Sequence, residues 1–183
     1  MELIRLDKCT TPFVPSGSVL TVLGCGASLA GDVARVGIVG DVMAISDAVA
    51  YYPGRLDHAV SCHNRMIMRP LLRLRAARGY NRDFICHSPA GDETDFTDMT
   101  WQLIPDIPGS GYFAAAVGIG LGYAEVRLLG CGLDGEGHFY DFMPGAATPY
   151  AETFLETWRS RARLFKGVRA ASGPLADVLG RIE

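Results

Sequence analysis

Short apolar runs alternate with longer amphipathic segments along the chain. The runs are rich in β-branched residues and end at glycine or at polar residues, which is typical of strands buried on both faces of a sheet. Strands are predicted over residues 18–23, 41–46, 58–63, 83–87 and 125–130. The segments between and after them, limited by proline and glycine, predict helices over 28–35, 70–78, 112–123 and 149–166.

This alternation of strands and helices predicts an α/β fold with a mostly parallel sheet. A length of 183 residues suits one domain, so we expect a single Rossmann-like, nucleotide-binding type of domain over 1–183, with helices on both faces of the sheet. The segment 90–108 is rich in Asp, Pro and Thr and predicts an irregular connection that carries Trp101 on a short strand.

Composition and charge narrow the classes of function. The chain is 49% hydrophobic and 20% charged, as globular proteins are, and its formal net charge of −3 argues against a general nucleic-acid partner. The five cysteines show no CxxC spacing, which indicates reduced thiols in a cytoplasmic protein. No leader pattern and no apolar stretch of about 18 residues occurs, so no transmembrane segment is expected.

A glycine-containing turn follows the first predicted strand and leads into a helix. In a doubly wound sheet this turn lies where phosphates bind, because glycine backbone N–H groups and the helix N-terminus approach the anion there. Leu29 replaces the third glycine of a dinucleotide fingerprint, and no GK[ST] is present, so a tight turn without a ligand remains an equal interpretation. The residues of the turn are Gly24, Cys25, Gly26, Ala27 and Ser28.

A second glycine-rich stretch, residues 118–122, lies at the end of a predicted helix rather than at its beginning. This order is wrong for a phosphate-binding turn. The small residues are therefore predicted to let the helix approach the sheet closely.

Polar residues end several of the predicted strands. If the strands are parallel, these residues converge on the same edge as the glycine turn, where open α/β sheets bind ligands. Ordinary polar loops are the alternative. The strand-end residues are Ser46, Asp47, Cys62, His63, Asn64, Cys86, His87, Ser88, Leu133 and Asp134.

Three histidines and two acids were weighed as a metal site: His63, His87, His138, Asp134 and Glu136. Their spacing matches no zinc or manganese motif, so no bound metal is predicted. A histidine on a glycine-rich loop suits a general acid or base better, which makes His138 a catalytic candidate. The arginines over 65–82 predict a solvated helix face rather than a site for an acidic partner or a phosphate.

One block of sequence resembles a known family. Ser110-Gly111-Tyr112-Phe113 followed by AAAVGIGLGYAEVRLLGCGLD is similar to the SG…LGY-x-E-I-x-L-x-G-x-D block of bacterial sialyltransferases of glycosyltransferase family 42. Their superfamily includes hydroxymethylpterin diphosphokinase-like proteins. VLGCGASL resembles the G-N-G-P-S-L turn of that group, and HAVSCHN stands where the family has its third strand, so the resemblance covers residues 19 to about 134.

The resemblance implies roles for individual residues. It puts Gly24, Gly26 and Ser28 at the phosphate or ribose of a cytidine nucleotide sugar. Ser46 and His63 would lie at strand ends, with Ser110 and Gly111 near the nucleotide. The chain departs from the family because Cys25, Ser46 and His63 replace Asn, and Ala27 replaces Pro.

The part after Asp134 is shorter than the lid of the sialyltransferases. Only residues 137–140 stand in for that lid. His138 as the general base and Tyr140 as a donor to the phosphate are therefore predicted from chemistry and position alone.

The leading functional prediction is a glycosyltransferase-like protein that binds a nucleotide or nucleotide sugar at the carboxyl edge of the sheet and needs no cofactor. A pyrophosphokinase-like enzyme that uses ATP and Mg²⁺ is one alternative. A non-catalytic binding or phage-type accessory module on a degenerate transferase scaffold is the other. The sequence leaves a homo-oligomer open.

Overall fold

The computed structural model describes residues 4–10, 13–15, 17–103, 109–133, 137–138 and 151–183. Within these ranges eight strands form one sheet. They are β1 Ile4–Cys9, β2 Val19–Leu23, β3 Asp41–Ile45, β4 His58–Val60, β5 Ile85–Pro89, β6 Met99–Leu103, β7 Glu125–Leu129 and β8 Val168–Ala170. The α-helices are α1 Leu29–Val36, α2 Ala48–Tyr51, α3 Arg69–Ala77, α4 Ser110–Gly120, α5 Ala151–Arg161 and α6 Gly173–Leu179. A π-helix, Asn64–Met68, precedes α3, and a 3₁₀ turn, Ala162–Leu164, follows α5.

The strand order is β1-β6-β5-β4-β3-β2-β7-β8, and each neighbouring pair is parallel except β1 with β6. The chain moves outward from β2 to β6, and α4 then returns it to β7 on the other side of β2. The strand order therefore reverses between β2 and β7, which is where open α/β sheets form a ligand crevice. The predicted α/β fold with a mostly parallel sheet is confirmed.

Helices cover both faces of the sheet, as predicted. Alternate residues of β2 point to opposite faces, so Leu20 and Val22 join a core that contains Phe113 of α4, whereas Leu23 joins a core that contains Leu29 of α1. The first core also takes residues from α5 and α6, and the second takes residues from α2 and α3. No helix in the described ranges is long and apolar enough to cross a membrane.

All five predicted strands are present, with ends that shift by one to three residues. Trp101 lies on β6, as predicted. The packing role of the second glycine-rich stretch is also confirmed, because a Cβ at Gly118 would lie 2.8 Å from Val126 Cγ2 and 2.9 Å from Leu20 Cδ2. Sequence analysis missed β1, whose residues after Ile4 are exposed and polar, and missed the short elements β8, α2 and α6.

The arginine run divides into two groups. Arg65, Arg69 and Arg73 are exposed, as predicted, and Arg69 pairs with the exposed Asp95 at 2.7 Å. Arg75 is fully buried instead. Its guanidinium donates hydrogen bonds to five oxygens: the carbonyls of Val49, Tyr52, Gly54 and Asn81, and Asn81 Oδ1.

A hydrogen-bonded chain of five buried side chains crosses the core beneath α4: Trp101, His87, His58, Tyr123 and Asp41. Trp101 Nε1 lies 3.0 Å from His87 Nδ1, and His87 Nε2 lies 3.0 Å from His58 Nδ1. His58 Nε2 is 3.1 Å from the Tyr123 hydroxyl, which donates to Asp41 Oδ2 at 2.6 Å. His87, which the sequence grouped with the strand-end site residues, is therefore a core residue with no solvent exposure.

The two ends of this chain determine both histidine tautomers. The indole N–H of Trp101 only donates, so Nδ1 of His87 accepts and its Nε2 carries the proton. His58 therefore accepts at Nδ1 and donates from Nε2 to Tyr123. Both imidazoles are neutral, and a proton added to either one would set a donor against a donor.

Burial disfavours the charged imidazoles as well. It lowers the pKa of His58 to about 4, although Asp57 and Asp41 oppose the shift. Burial and the neighbouring His58 lower the pKa of His87 well below its ordinary range. Burial, followed by the hydrogen bond to Asp41, raises the pKa of Tyr123.

These lowered pKa values predict acid sensitivity. Unfolded histidine takes up a proton near pH 6.5, whereas folded His58 takes one up only near pH 4, so the free energy of unfolding falls as the pH drops through this window. His58 alone should account for a loss of about 2 kcal/mol between pH 7.5 and pH 5, and His87 adds to it. Urea unfolding at each pH measures this loss. The exposed His63 provides the control: His63→Gln should keep the same slope. A stability that stays constant down to pH 5 would contradict the assignment.

Candidate functional site

A cavity of about 320 Å³ lies beyond the carboxyl ends of β2, β3 and β7, at the reversal of strand order. The glycine turn and the segment after β7 form one side of it, and the N-terminus of α4 opens into it. Phe154 and Trp158 of α5 and Leu175 of α6 add apolar surface. The cavity therefore occupies the position that the topology favours for a ligand.

Most of the predicted site residues line this cavity. Those that do are Gly24, Cys25, Gly26, Ser46, Asp47, Ser110, Gly111 and His138. Ala27, Ser28 and His63 are not among its lining residues, although the sequence placed them at the nucleotide. Asp134 and Tyr140 lie outside the described residues.

The glycines of the turn are required by the close approach of the segment after β7. A Cβ on Gly24 would collide with the Gly130 carbonyl and with Cys131 Sγ, and one on Gly26 would lie 2.7 Å from the Gly130 oxygen. The N–H groups of Gly24 and Gly26 donate to the carbonyls of Leu129 and Gly130, at 2.8 and 2.7 Å. Packing alone therefore accounts for both glycines.

The His138 segment completes the pairing of this turn. Ala27 N–H donates to the Gly137 carbonyl at 3.1 Å, and Gly26 forms an antiparallel bridge with His138. This bridge holds the exposed His138 at the edge of the cavity, so the structure brings His138 and the glycine turn together.

Ser28 is directed to a buried carboxylate that sequence analysis missed. Asp32 is 3% exposed, and its Oδ2 accepts hydrogen bonds from Ser28 Oγ at 3.2 Å, Gly130 N–H at 2.9 Å and Ser172 Oγ at 2.9 Å. Asp32 thus ties α1 to the end of β7 and to the start of α6. The only sequence signal was an acid in the first turn of the helix, four residues after a serine.

The N-terminus of α4 supplies the unpaired donors of the cavity. Gly109, Ser110, Gly111 and Tyr112 all line it. Ser110 Oγ accepts from the N–H of Cys62 at 3.0 Å, which fixes where the helix begins. The first N–H groups of a helix have no acceptor within the helix and carry a partial positive charge, so an anion is stabilised here.

Tyr112 adds a buried polar atom. It is 1% exposed, and its hydroxyl has no hydrogen-bond partner in the described part of the chain. Its ring packs against Trp158 and Phe165, with centroids 4.9 and 4.7 Å away. An unsatisfied buried hydroxyl is costly, and a ligand with an acceptor atom in the cavity would remove that cost.

Backbone strain is concentrated at the same place. Ser46 and Leu133 have φ values of 47° and 55°, and they are the two non-glycine residues with positive φ among those described. Both line the cavity. Such conformations are uncommon for serine and more so for leucine, and they cluster at ligand sites.

The two cysteines of the cavity are poor nucleophiles. Burial raises the pKa of the Cys25 thiol to about 12 and also raises that of Cys131. Both thiols therefore stay protonated at neutral pH. Among the described ranges, no group of three His, Cys, Asp or Glu residues is arranged to hold a metal ion.

Comparisons with family models, with curated proteins and with solved structures give no match. The resemblance to sialyltransferases therefore stays a prediction.

The close contact at the glycine turn yields a stability test. Gly24→Ala should destabilise the fold by about 1–3 kcal/mol, because the methyl group collides with the backbone of Gly130. Gly31→Ala is the control: a Cβ at this helical position meets nothing within 4 Å, so this variant should be more stable by about 0.5–1 kcal/mol. Urea unfolding compares the two. Equal effects of both substitutions would show that the contact at Gly24 is not close.

Proposed function

We propose that this cavity binds a nucleotide or nucleotide sugar and that the protein transfers the sugar to an acceptor hydroxyl. The observation that carries the proposal is the N-terminus of α4 at the strand-order reversal, together with the buried, unpartnered hydroxyl of Tyr112. A phosphate suits these groups, because helix N–H donors and a hydroxyl neutralise it by hydrogen bonds.

The lining residues support hydrogen bonding rather than ion pairing as the means of holding an anion. No lysine or arginine lines the cavity in the ranges the structure describes. The helix N-terminus and the hydroxyls of Ser110 and Tyr112 are then the groups that hold the phosphate. This differs from the sequence prediction, which assigned the phosphate to the glycine turn.

His138 is proposed as the general base. It accepts the proton of the acceptor hydroxyl while the acceptor oxygen bonds to the anomeric carbon of the sugar. The bond from that carbon to the phosphate oxygen breaks, and the nucleotide leaves with the electron pair. The bridge between Gly26 and His138 supports this role, because it holds the imidazole beside the cavity. Tyr140 and Asp134 keep their predicted roles as phosphate donor and loop-orienting acid.

A non-catalytic nucleotide-binding module is the second candidate. The paired N–H groups of Gly24, Gly26 and Ala27 favour it, because they leave fewer donors for a transition state than an open phosphate-binding turn would. The pyrophosphokinase-like alternative differs in its need for Mg²⁺ and ATP, so removal of divalent metal by EDTA separates it from a glycosyltransferase.

We further propose a cytoplasmic location. All five cysteines are described and unpaired. Reduced thiols are typical of that compartment.

Nucleotide binding is tested by thermal stability against CMP, UDP, GDP and ATP. A ligand at 100 times its Kd adds about 2.7 kcal/mol to the free energy of unfolding. Tyr112→Phe should leave the free protein as stable or up to about 1 kcal/mol more stable, and should weaken the best ligand about tenfold. Tyr80→Phe, outside the cavity, is the control and should bind like the wild type. If no nucleotide shifts the melting temperature at millimolar concentration, the proposal fails.

Catalysis is tested at His138. His138→Ala should slow the release of nucleotide from a nucleotide sugar by a factor of about 10² to 10⁴ and leave the nucleotide Kd nearly unchanged. The matched variant His63→Ala removes an exposed imidazole outside the cavity and should keep full turnover. Equal turnover of His138→Ala and the wild type would remove His138 from the mechanism and favour the binding module.

A further inference from the structure

Asp47 is the one carboxylate among the described residues that line the cavity. It lies at the N-terminal boundary of α2, yet its side chain makes no capping hydrogen bond to that helix. Capping is the usual reason for an aspartate at a helix start. The position therefore needs another explanation.

The backbone holds Asp47 beside the cavity. Ser46 adopts a left-handed conformation, its N–H donates to the Val60 carbonyl at 2.9 Å, and its hydroxyl lies 3.2 Å from Ser61 Oγ. These contacts fix the chain at the point where β3 ends. The charge of Asp47 contributes to the raised pKa of the Cys25 thiol, which places the carboxylate near the turn after β2.

A carboxylate at this position selects the part of the ligand that it faces. It accepts hydrogen bonds and repels phosphate, and no lysine or arginine in the described lining offsets its charge. The phosphate is expected at α4, so the group at Asp47 must be neutral and must carry hydroxyl donors. In doubly wound folds, an acid about 20 residues after the glycine turn, at the end of the second strand, accepts from ribose hydroxyls.

We infer that Asp47 accepts hydrogen bonds from the 2′- and 3′-hydroxyls of a ribose, so the cavity takes ribonucleotides in preference to 2′-deoxyribonucleotides. This inference rests on the proposed nucleotide binding. It adds a requirement for the sugar of the nucleotide, which neither the phosphate at α4 nor the base at His138 imposes.

Calorimetric titration with AMP, CMP, GMP and UMP and with their 2′-deoxy counterparts tests it. The best ribonucleotide should bind the wild type about 10 to 100 times more tightly than its deoxy counterpart, because a hydrogen bond to a charged group is lost. In Asp47→Asn the two should bind within about threefold of each other, with the loss on the ribonucleotide. The control is Asp177→Asn: this exposed acid of α6 pairs with Arg181, lies outside the cavity and should keep the wild-type ratio.

The outcomes separate this inference from the proposed function. Equal affinity of the wild type for both sugars overturns the ribose assignment and leaves nucleotide binding intact, and this measurement needs no variant to fold. A preference that persists in Asp47→Asn, or in Asp47→Ser, assigns the discrimination to another residue and also overturns it. If no nucleotide of either kind binds, the proposed function fails together with the inference.

Discussion

The contact between the glycine turn and the end of β7 determines the geometry of the site. Gly24 and Gly26 allow the two backbones to approach so closely that their N–H groups bond to the carbonyls of Leu129 and Gly130. Asp32 reinforces the contact by accepting from Gly130 N–H. Because β2 and β7 flank the reversal of strand order, this contact positions the wall of the cavity opposite the α4 N-terminus.

The two ends of the sheet carry different polar arrangements. At the carboxyl end, unpaired helix N–H groups and a buried hydroxyl face an open cavity. Asp41, His58 and Tyr123 lie at the amino end, where each polar atom in the chain of hydrogen bonds has a partner. Satisfied buried networks stabilise one packing arrangement, whereas unsatisfied donors favour a ligand. The distribution of unsatisfied groups therefore separates the candidate site from the core.

Local patterns predicted much of the fold. Runs such as 18–23 and 125–130 are apolar and β-branched, so the strands and their parallel order followed from periodicity and spacing. The convergence of Ser46, Asp47 and Ser110 at one edge followed from the same topology. Edge strand β1 escaped prediction because its exposed polar residues carry no such pattern.

What the sequence could not predict depends on contacts between distant residues. The pairing of Ala27 with Gly137 and the bonds of Asp32 to Gly130 and Ser172 join segments about a hundred residues apart. Likewise, His87 follows an apolar run as a ligand residue would. Only the packing of Trp101 and His58 around it shows that it is a core residue.

Arg75 has a consequence for the order of folding. Its guanidinium binds the carbonyls of Val49, Tyr52 and Gly54, which include the end of α2 and the loop after it. These carbonyls find their acceptor bonds on a side chain of α3 rather than on neighbouring backbone. The loop therefore gains its native conformation only after α3 has docked, and α2, with four residues, is too short to form alone. The second crossover of the sheet is thus expected to fold late and as one cooperative unit with α3.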